Sequence, residues 1–65
     1  MNFMLEALIK KLEGEIAIAK ANVLVYTRNS TGIGEHPEVV EAIESQISKI
    51  AEAQDKINTI KDLKL

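Results

Sequence analysis

The chain has 65 residues, no cysteine and a formal net charge of −2, with 46% hydrophobic and 28% charged residues. This length allows one domain at most, and the lack of cysteine excludes disulfides and thiolate metal sites. So balanced a charge disfavours an electrostatic nucleic-acid binder, and the hydrophobic content disfavours a disordered tail.

The first predicted element is a helix over about residues 2–28. Its apolar residues repeat at alternating steps of four and three, the spacing of one buried helix face: Leu5, Ile9, Leu12, Ile16, Ala19, Val23 and Tyr26. Leu8 is expected to join this face, and Asn2 is suited to cap the helix start. Residues 23–27 are mostly β-branched or aromatic and alone would favour a strand. The heptad spacing continues through them, so we predict helix there.

The next segment, residues 29–36, predicts a turn. It contains Asn, Ser and two glycines, and Gly32 or Gly34 is expected to adopt a positive φ. Helices joined by so short a connection usually pack antiparallel.

The last predicted element is a helix over about residues 37–63, with Pro37 at its first position, where the missing N–H costs nothing. Gln54 falls on its apolar stripe; such an amide fixes the helix register if buried and is merely hydrated at the edge. The predicted stripe consists of Val40, Ile43, Ile47, Ile50, Ile57 and Lys61. Ion pairs are expected for Glu6–Lys10 and Glu52–Lys56. The predicted fold is all-α, a single two-helix antiparallel hairpin over residues 1–65.

A second stripe on helix 1 predicts self-association. It consists of Ala7, Gly14, Ile18, Ala21 and Val25. The small residues, one heptad apart, would let another backbone come close, although they are also ordinary residues for a solvated face. We favour an interface because Ile18 and Val25 would otherwise be exposed. In addition, so small a fold without a disulfide or a structural metal usually associates with a partner. The chain is therefore expected to form a homo-oligomeric helical bundle. A dimeric four-helix bundle is the preferred prediction, and a larger ring of hairpins is the alternative.

Polar residues near the turn offer the candidate ligand site, namely Tyr26, Arg28, Asn29 and His36. A Gly-x-Gly turn before a helix start can bind an anion through backbone N–H groups. Here no strand precedes the glycines, no P-loop lysine follows them, and nearby glutamates would repel a phosphate. His36 is the only histidine, whereas zinc needs three or four protein ligands. We therefore predict no metal and no cofactor.

Catalysis, nucleic-acid binding and membrane insertion find little support in the sequence. The serines lack a histidine–aspartate arrangement, and the acids follow the pattern of a solvated face. The lysines are dispersed and outnumbered by the acids. The chain shows neither a 20-residue apolar run nor a signal peptide. We expect a non-enzymatic, cytoplasmic protein without nucleic-acid or membrane partners.

The turn sequence Gly-Ile-Gly-Glu-His-Pro at residues 32–37, with residues 19–22, 31–42 and 47–53, resembles small uncharacterised helical proteins encoded by tailed phages of marine bacteria. The resemblance implies a virus-encoded accessory protein that acts in the host cytoplasm. Together with the helical pattern, it leads us to expect an interaction or assembly protein. Two alternatives stay open: a module that binds a nucleotide-like ligand in pockets between hairpin tips, and an inhibitor of a host protein.

Overall fold

A computed structural model describes residues 2–28 and 37–64 and shows two α-helices packed against each other. Helix α1 is Phe3–Arg28 and helix α2 is Pro37–Leu63. Residues 23–27 are helical, as the heptad spacing predicted. The predicted turn at 29–36, with the conformations expected for Gly32 and Gly34, lies outside the described residues.

Local hydrogen bonds define the outer ends of both helices. The Oδ1 atom of Asn2 accepts the backbone N–H of Leu5 at 2.9 Å, which confirms Asn2 as the N-cap of α1. At the same end of the hairpin, Lys64 follows α2 with a φ of 57°. This left-handed conformation cannot continue the helix, so α2 ends at Leu63.

The buried face of α1 follows the predicted heptad. Leu12 and Ala19 are buried, and the other members of the heptad are half-buried, namely Leu5, Ile9, Ile16, Val23 and Tyr26. The prediction for Leu8 was wrong, because 40% of its surface is exposed. Leu8 precedes Ile9 by one residue and so lies about 100° away from it around the helix, at the edge of the contact between the helices.

The buried face of α2 corrects the predicted stripe. Ile43, Ile50 and Ile57 face α1, as expected. The other half of the stripe is exposed, with Val40 at 70% and Ile47 at 50%, and Lys61 is exposed as well. The residues that complete the buried face lie one position before Val40, Ile47, Gln54 and Lys61. They are Val39, Gln46, Ala53 and Ile60. This row carries no charge, whereas burying the other row would bury the Lys61 ammonium.

The two helices run antiparallel. Near the N-terminus of α1, Leu12 packs in one buried cluster with Ala53, Ile57 and Ile60 from the second half of α2. Nearer the end of α1, Asn22 bonds to Gln46 from the first half of α2. Early residues of α1 therefore contact late residues of α2, and late residues of α1 contact early residues of α2. This is the arrangement of a helical hairpin. The chain measures 48 × 14 × 11 Å, so the hairpin is one helix thick.

Two exposed ion pairs lie along the helices. Glu52 and Lys56 approach to 3.4 Å, which confirms that predicted pair, and Lys11 and Glu15 approach to 2.9 Å. The prediction of a Glu6–Lys10 pair was wrong, since no ion pair joins these two within the described chain. Exposed pairs contribute only about 0–1 kcal/mol, so their geometry does little to hold the hairpin together.

Candidate functional site

A hydrogen-bonded amide pair interrupts the apolar contact between the helices. The Nδ2–H group of Asn22 donates to Oε1 of Gln46 at 3.1 Å. Asn22 is half-buried, and Gln46 is only 8% exposed. Sliding one helix past the other would leave both amides unpaired, at a cost of about 1–3 kcal/mol for each buried group. The pair therefore favours this register of the hairpin.

Gln46 has the register role that the sequence left open for Gln54. Gln54 is exposed, and its Nε2–H donates to Oδ1 of Asn58 at 3.1 Å on the surface of α2. The hydrated alternative for Gln54 is therefore correct. One signal for the true position was present in the sequence: Asn22 borders the heptad of α1, and an antiparallel hairpin brings it opposite the first half of α2.

A shallow groove of about 310 Å³ opens beside the amide pair. Its lining includes the opposite charges of Glu15 and Lys49, with Ala19 and the two amides between them. The groove is open to solvent and presents no nucleophile next to a base. The two amides bond to each other and Glu15 pairs with Lys11, so the groove gives no reason to assign a ligand.

The side of α1 opposite α2 is the larger exposed feature, and we call it the outer face of α1. All members of the predicted second stripe are exposed there: Ala7, Gly14, Ile18, Ala21 and Val25. Ile18 is 65% exposed and Val25 is 53% exposed. A Cβ atom added to Gly14 would meet nothing within 4 Å, so packing inside the chain does not require a glycine.

The outer face of α1 is more apolar than the predicted stripe. At a helical period of 3.6 residues, Phe3, Met4, Ala17 and Leu24 fall on the same side as the stripe. Phe3 is 76% exposed, Met4 65% and Leu24 49%. The sequence reasoning missed these four because it selected small residues one heptad apart. Sorting every residue by its angle to the buried heptad would have found them.

The charges on the outer face of α1 are all positive. Lys10, Lys11 and Arg28 belong to it, and Lys11 is bound to Glu15 on its flank. From Gly14 to Val25 the face carries no charged side chain, because Glu15 and Lys20 lie to either side of it. A strip of about three helical turns is therefore both apolar and exposed.

The structure describes two of the four residues predicted near the turn to bind a ligand. Tyr26 is half-buried near the end of α1, and Arg28 is exposed at its last position. Asn29 and His36 lie outside the described residues. Within residues 2–28 and 37–64, no three side chains of His, Asp or Glu are grouped to hold a metal ion.

Comparison of the chain with protein-family models, with curated proteins and with solved structures finds no match. The resemblance to phage-encoded proteins therefore stays a prediction. Neither helix, over the described residues, combines the length and the apolar character needed to cross a bilayer.

Proposed function

We propose that this chain is a non-enzymatic assembly protein that associates with itself through the outer face of α1. The observation that carries the proposal is the exposure of large apolar side chains on a helix face that α2 leaves uncovered, chiefly Ile18, Leu24 and Val25. Folded monomers rarely expose contiguous apolar patches larger than a few hundred Å², and larger ones mark interaction sites.

The total exposed area supports the same proposal. A folded monomer of 7.2 kDa is expected to expose about 4,100 Å². This chain exposes 5003 Å², an excess of about 900 Å², whereas each partner contributes about 800 Å² to a standard protein interface. The excess is therefore of the size that one partner in a standard interface buries.

The proposed role is that of a surface and not of a reaction centre. A hairpin one helix thick offers little interior in which to shield a reacting group, and the part-buried amides of Asn22 and Gln46 bond to each other. We extend the proposal to the setting that the resemblance implies, an accessory protein encoded by a virus and acting in the host cytoplasm.

Two charges placed on the outer face of α1 test the proposal. The double variant Gly14→Glu with Ala21→Glu would force four carboxylates into a symmetric contact. Glutamate favours helix more than glycine does, so the hairpin itself is expected to keep its fold. We expect the mass measured by light scattering to fall to that of one chain.

The matched control is Ser48→Glu with Ala51→Glu, which adds the same charge to exposed positions on the side of α2 that faces away from α1. The control variant is expected to show the same mass in solution as the unmodified protein. An unchanged mass in the α1 variant, or an equal loss in both variants, would contradict the proposed interface.

A further inference from the structure

We infer that the partner on the outer face of α1 is a second copy docked antiparallel, with a two-fold axis at Gly14. The four helices then lie side by side in one flat layer, in the order α2, α1, α1 of the partner and α2 of the partner. The inference rests on the proposed function and adds the orientation and shape of the assembly.

The outer face of α1 has the symmetry that such a contact needs. A two-fold interface brings one surface patch against itself, so residues equally far from the axis on either side must fit each other. Around Gly14, the small residues Ala7 and Ala21 are equidistant. The large exposed residues at the two ends correspond in the same way, Met4 with Leu24 and Phe3 with Val25.

The positive charges decide between the two possible directions. A parallel pair of α1 helices would bring Lys10, Lys11 and Arg28 of one copy against the same residues of the other, and like charges across an interface are repulsive. In the antiparallel arrangement, Lys10 and Lys11 lie opposite Ile18 and Ala17. Their aliphatic stems can then cover Ile18 while the ammonium groups reach solvent.

The flat layer follows from where the two contacts lie on α1. The outer face is centred about 180° from the heptad that packs on α2, so α1 is held between two neighbours in line. A square bundle would instead need two contacts about 90° apart. With helices spaced about 8–10 Å apart, the layer would be roughly 35–40 Å wide and one helix thick.

The outer side of α2 closes the assembly at two copies. Once two α1 helices are paired, both edges of the layer are formed by α2, whose outer side carries only negative charges: Glu38, Glu41, Glu44, Glu52, Asp55 and Asp62. Two such edges repel each other and offer no large apolar side chain to a third copy. This favours the dimer over the larger ring of hairpins.

Single-cysteine variants of the full chain test the orientation, because the native chain has no cysteine. We expect Ala7→Cys mixed with Ala21→Cys to form a disulfide about tenfold or more faster than either variant alone, since docking raises the effective concentration of the paired thiols. Ser48→Cys on α2 is the control and should not cross-link.

The possible outcomes separate the orientation from self-association. Rapid cross-linking of Ala7→Cys alone would indicate a parallel pair and overturn the inference. A native mass of two chains without the mixed disulfide would also overturn it, yet leave the proposed function standing. A native mass of one chain would contradict both, and co-sedimentation with phosphatidylserine vesicles would then assign the face to a lipid surface. X-ray scattering from the cross-linked dimer tests the flat four-helix layer. A scattering curve that fits a square bundle, two helices by two, would refute the layer.

Discussion

The outer sides of the two helices differ sharply, although the helices are of similar length, 26 and 27 residues, and share one contact. The outer face of α1 exposes Phe3, Ile18 and Leu24 and carries only positive charges. The outer side of α2 carries only acids among its charged residues, and its exposed apolar side chains, such as Val40 and Ile47, lie beside the contact with α1. Helix α1 thus has apolar side chains on two opposite sides, whereas the outer side of α2 is acidic.

This difference separates the residues that fold the hairpin from those available for assembly. The contact between the helices holds the buried cluster around Leu12 and the Asn22–Gln46 pair. On the outer face of α1, Gly14 has open space around it, and the large apolar side chains are about half or more exposed. Variants in the first group should change the free energy of unfolding, and variants in the second should change the mass in solution.

The largest effect is expected for Leu12→Ala, which removes a side chain that is 2% exposed from the centre of the buried cluster. The free energy of unfolding should fall by about 2–5 kcal/mol, because truncation of a buried leucine loses apolar burial and leaves a cavity. Urea denaturation followed by helical circular dichroism at a fixed chain concentration measures it.

Leu63→Ala makes the same chemical change at a residue that is 54% exposed and serves as the control. It should cost less than about 1 kcal/mol, as surface changes usually do. Equal losses in the two variants would show that the buried cluster does not hold the hairpin together.

An intermediate effect is expected for Asn22→Ala, which removes the partner of Gln46 inside the contact. The free energy of unfolding should fall by about 1–3 kcal/mol, because a buried amide oxygen then lacks a donor. The double variant Asn22→Leu with Gln46→Leu should recover most of this loss, since neither amide remains. A double-mutant cycle with no coupling between positions 22 and 46 would refute the register role of the pair.

The smallest effect is expected for Gly14→Ala. This variant should stabilise the helix and weaken the association of the two copies. The helix should gain about 1 kcal/mol of stability at concentrations where the chain is monomeric. The dimer should dissociate more readily, because two new methyl groups meet at the two-fold axis. Thermal melting and sedimentation equilibrium measure these effects separately.

Ala51→Gly on the outer side of α2 is the converse control. It should lower helix stability by about 1 kcal/mol and leave the dissociation constant unchanged. If Gly14→Ala stabilised the helix without weakening association, Gly14 would not lie at the centre of the interface.

The sequence predicts α1 better than α2, for a reason that lies in their apolar patterns. In α1 the alternating steps of four and three leave a single choice of buried face. In α2, Ile43, Ile50 and Ile57 can belong to either of two helix faces. One face also contains the residues three positions after each isoleucine, and the other contains the residues four positions after each. The large apolar side chain of Ile47 favoured the face with the four-residue spacing. Against that choice, Lys61 would be buried on the row of Ile47. In favour of Gln46, the amide of Asn22 bonds to it from the other helix, a long-range contact that the pattern of α2 alone does not contain.

The candidate interface was predictable only in outline. The heptad of small residues located the exposed side of α1 that lies opposite its buried face. The large apolar members of that side, Phe3, Met4 and Leu24, do not repeat at one spacing and were missed. Separating them from residues of the buried face requires knowing how far around α1 the contact with α2 extends.

The central claim is that the outer face of α1 joins two copies, and the mass of the native chain in solution tests it most directly. Sedimentation equilibrium over a range of concentrations should show a rise from one chain mass to twice the 7.2 kDa of a single chain, with no larger species. A mass of 7.2 kDa at every concentration up to the millimolar range would contradict the account.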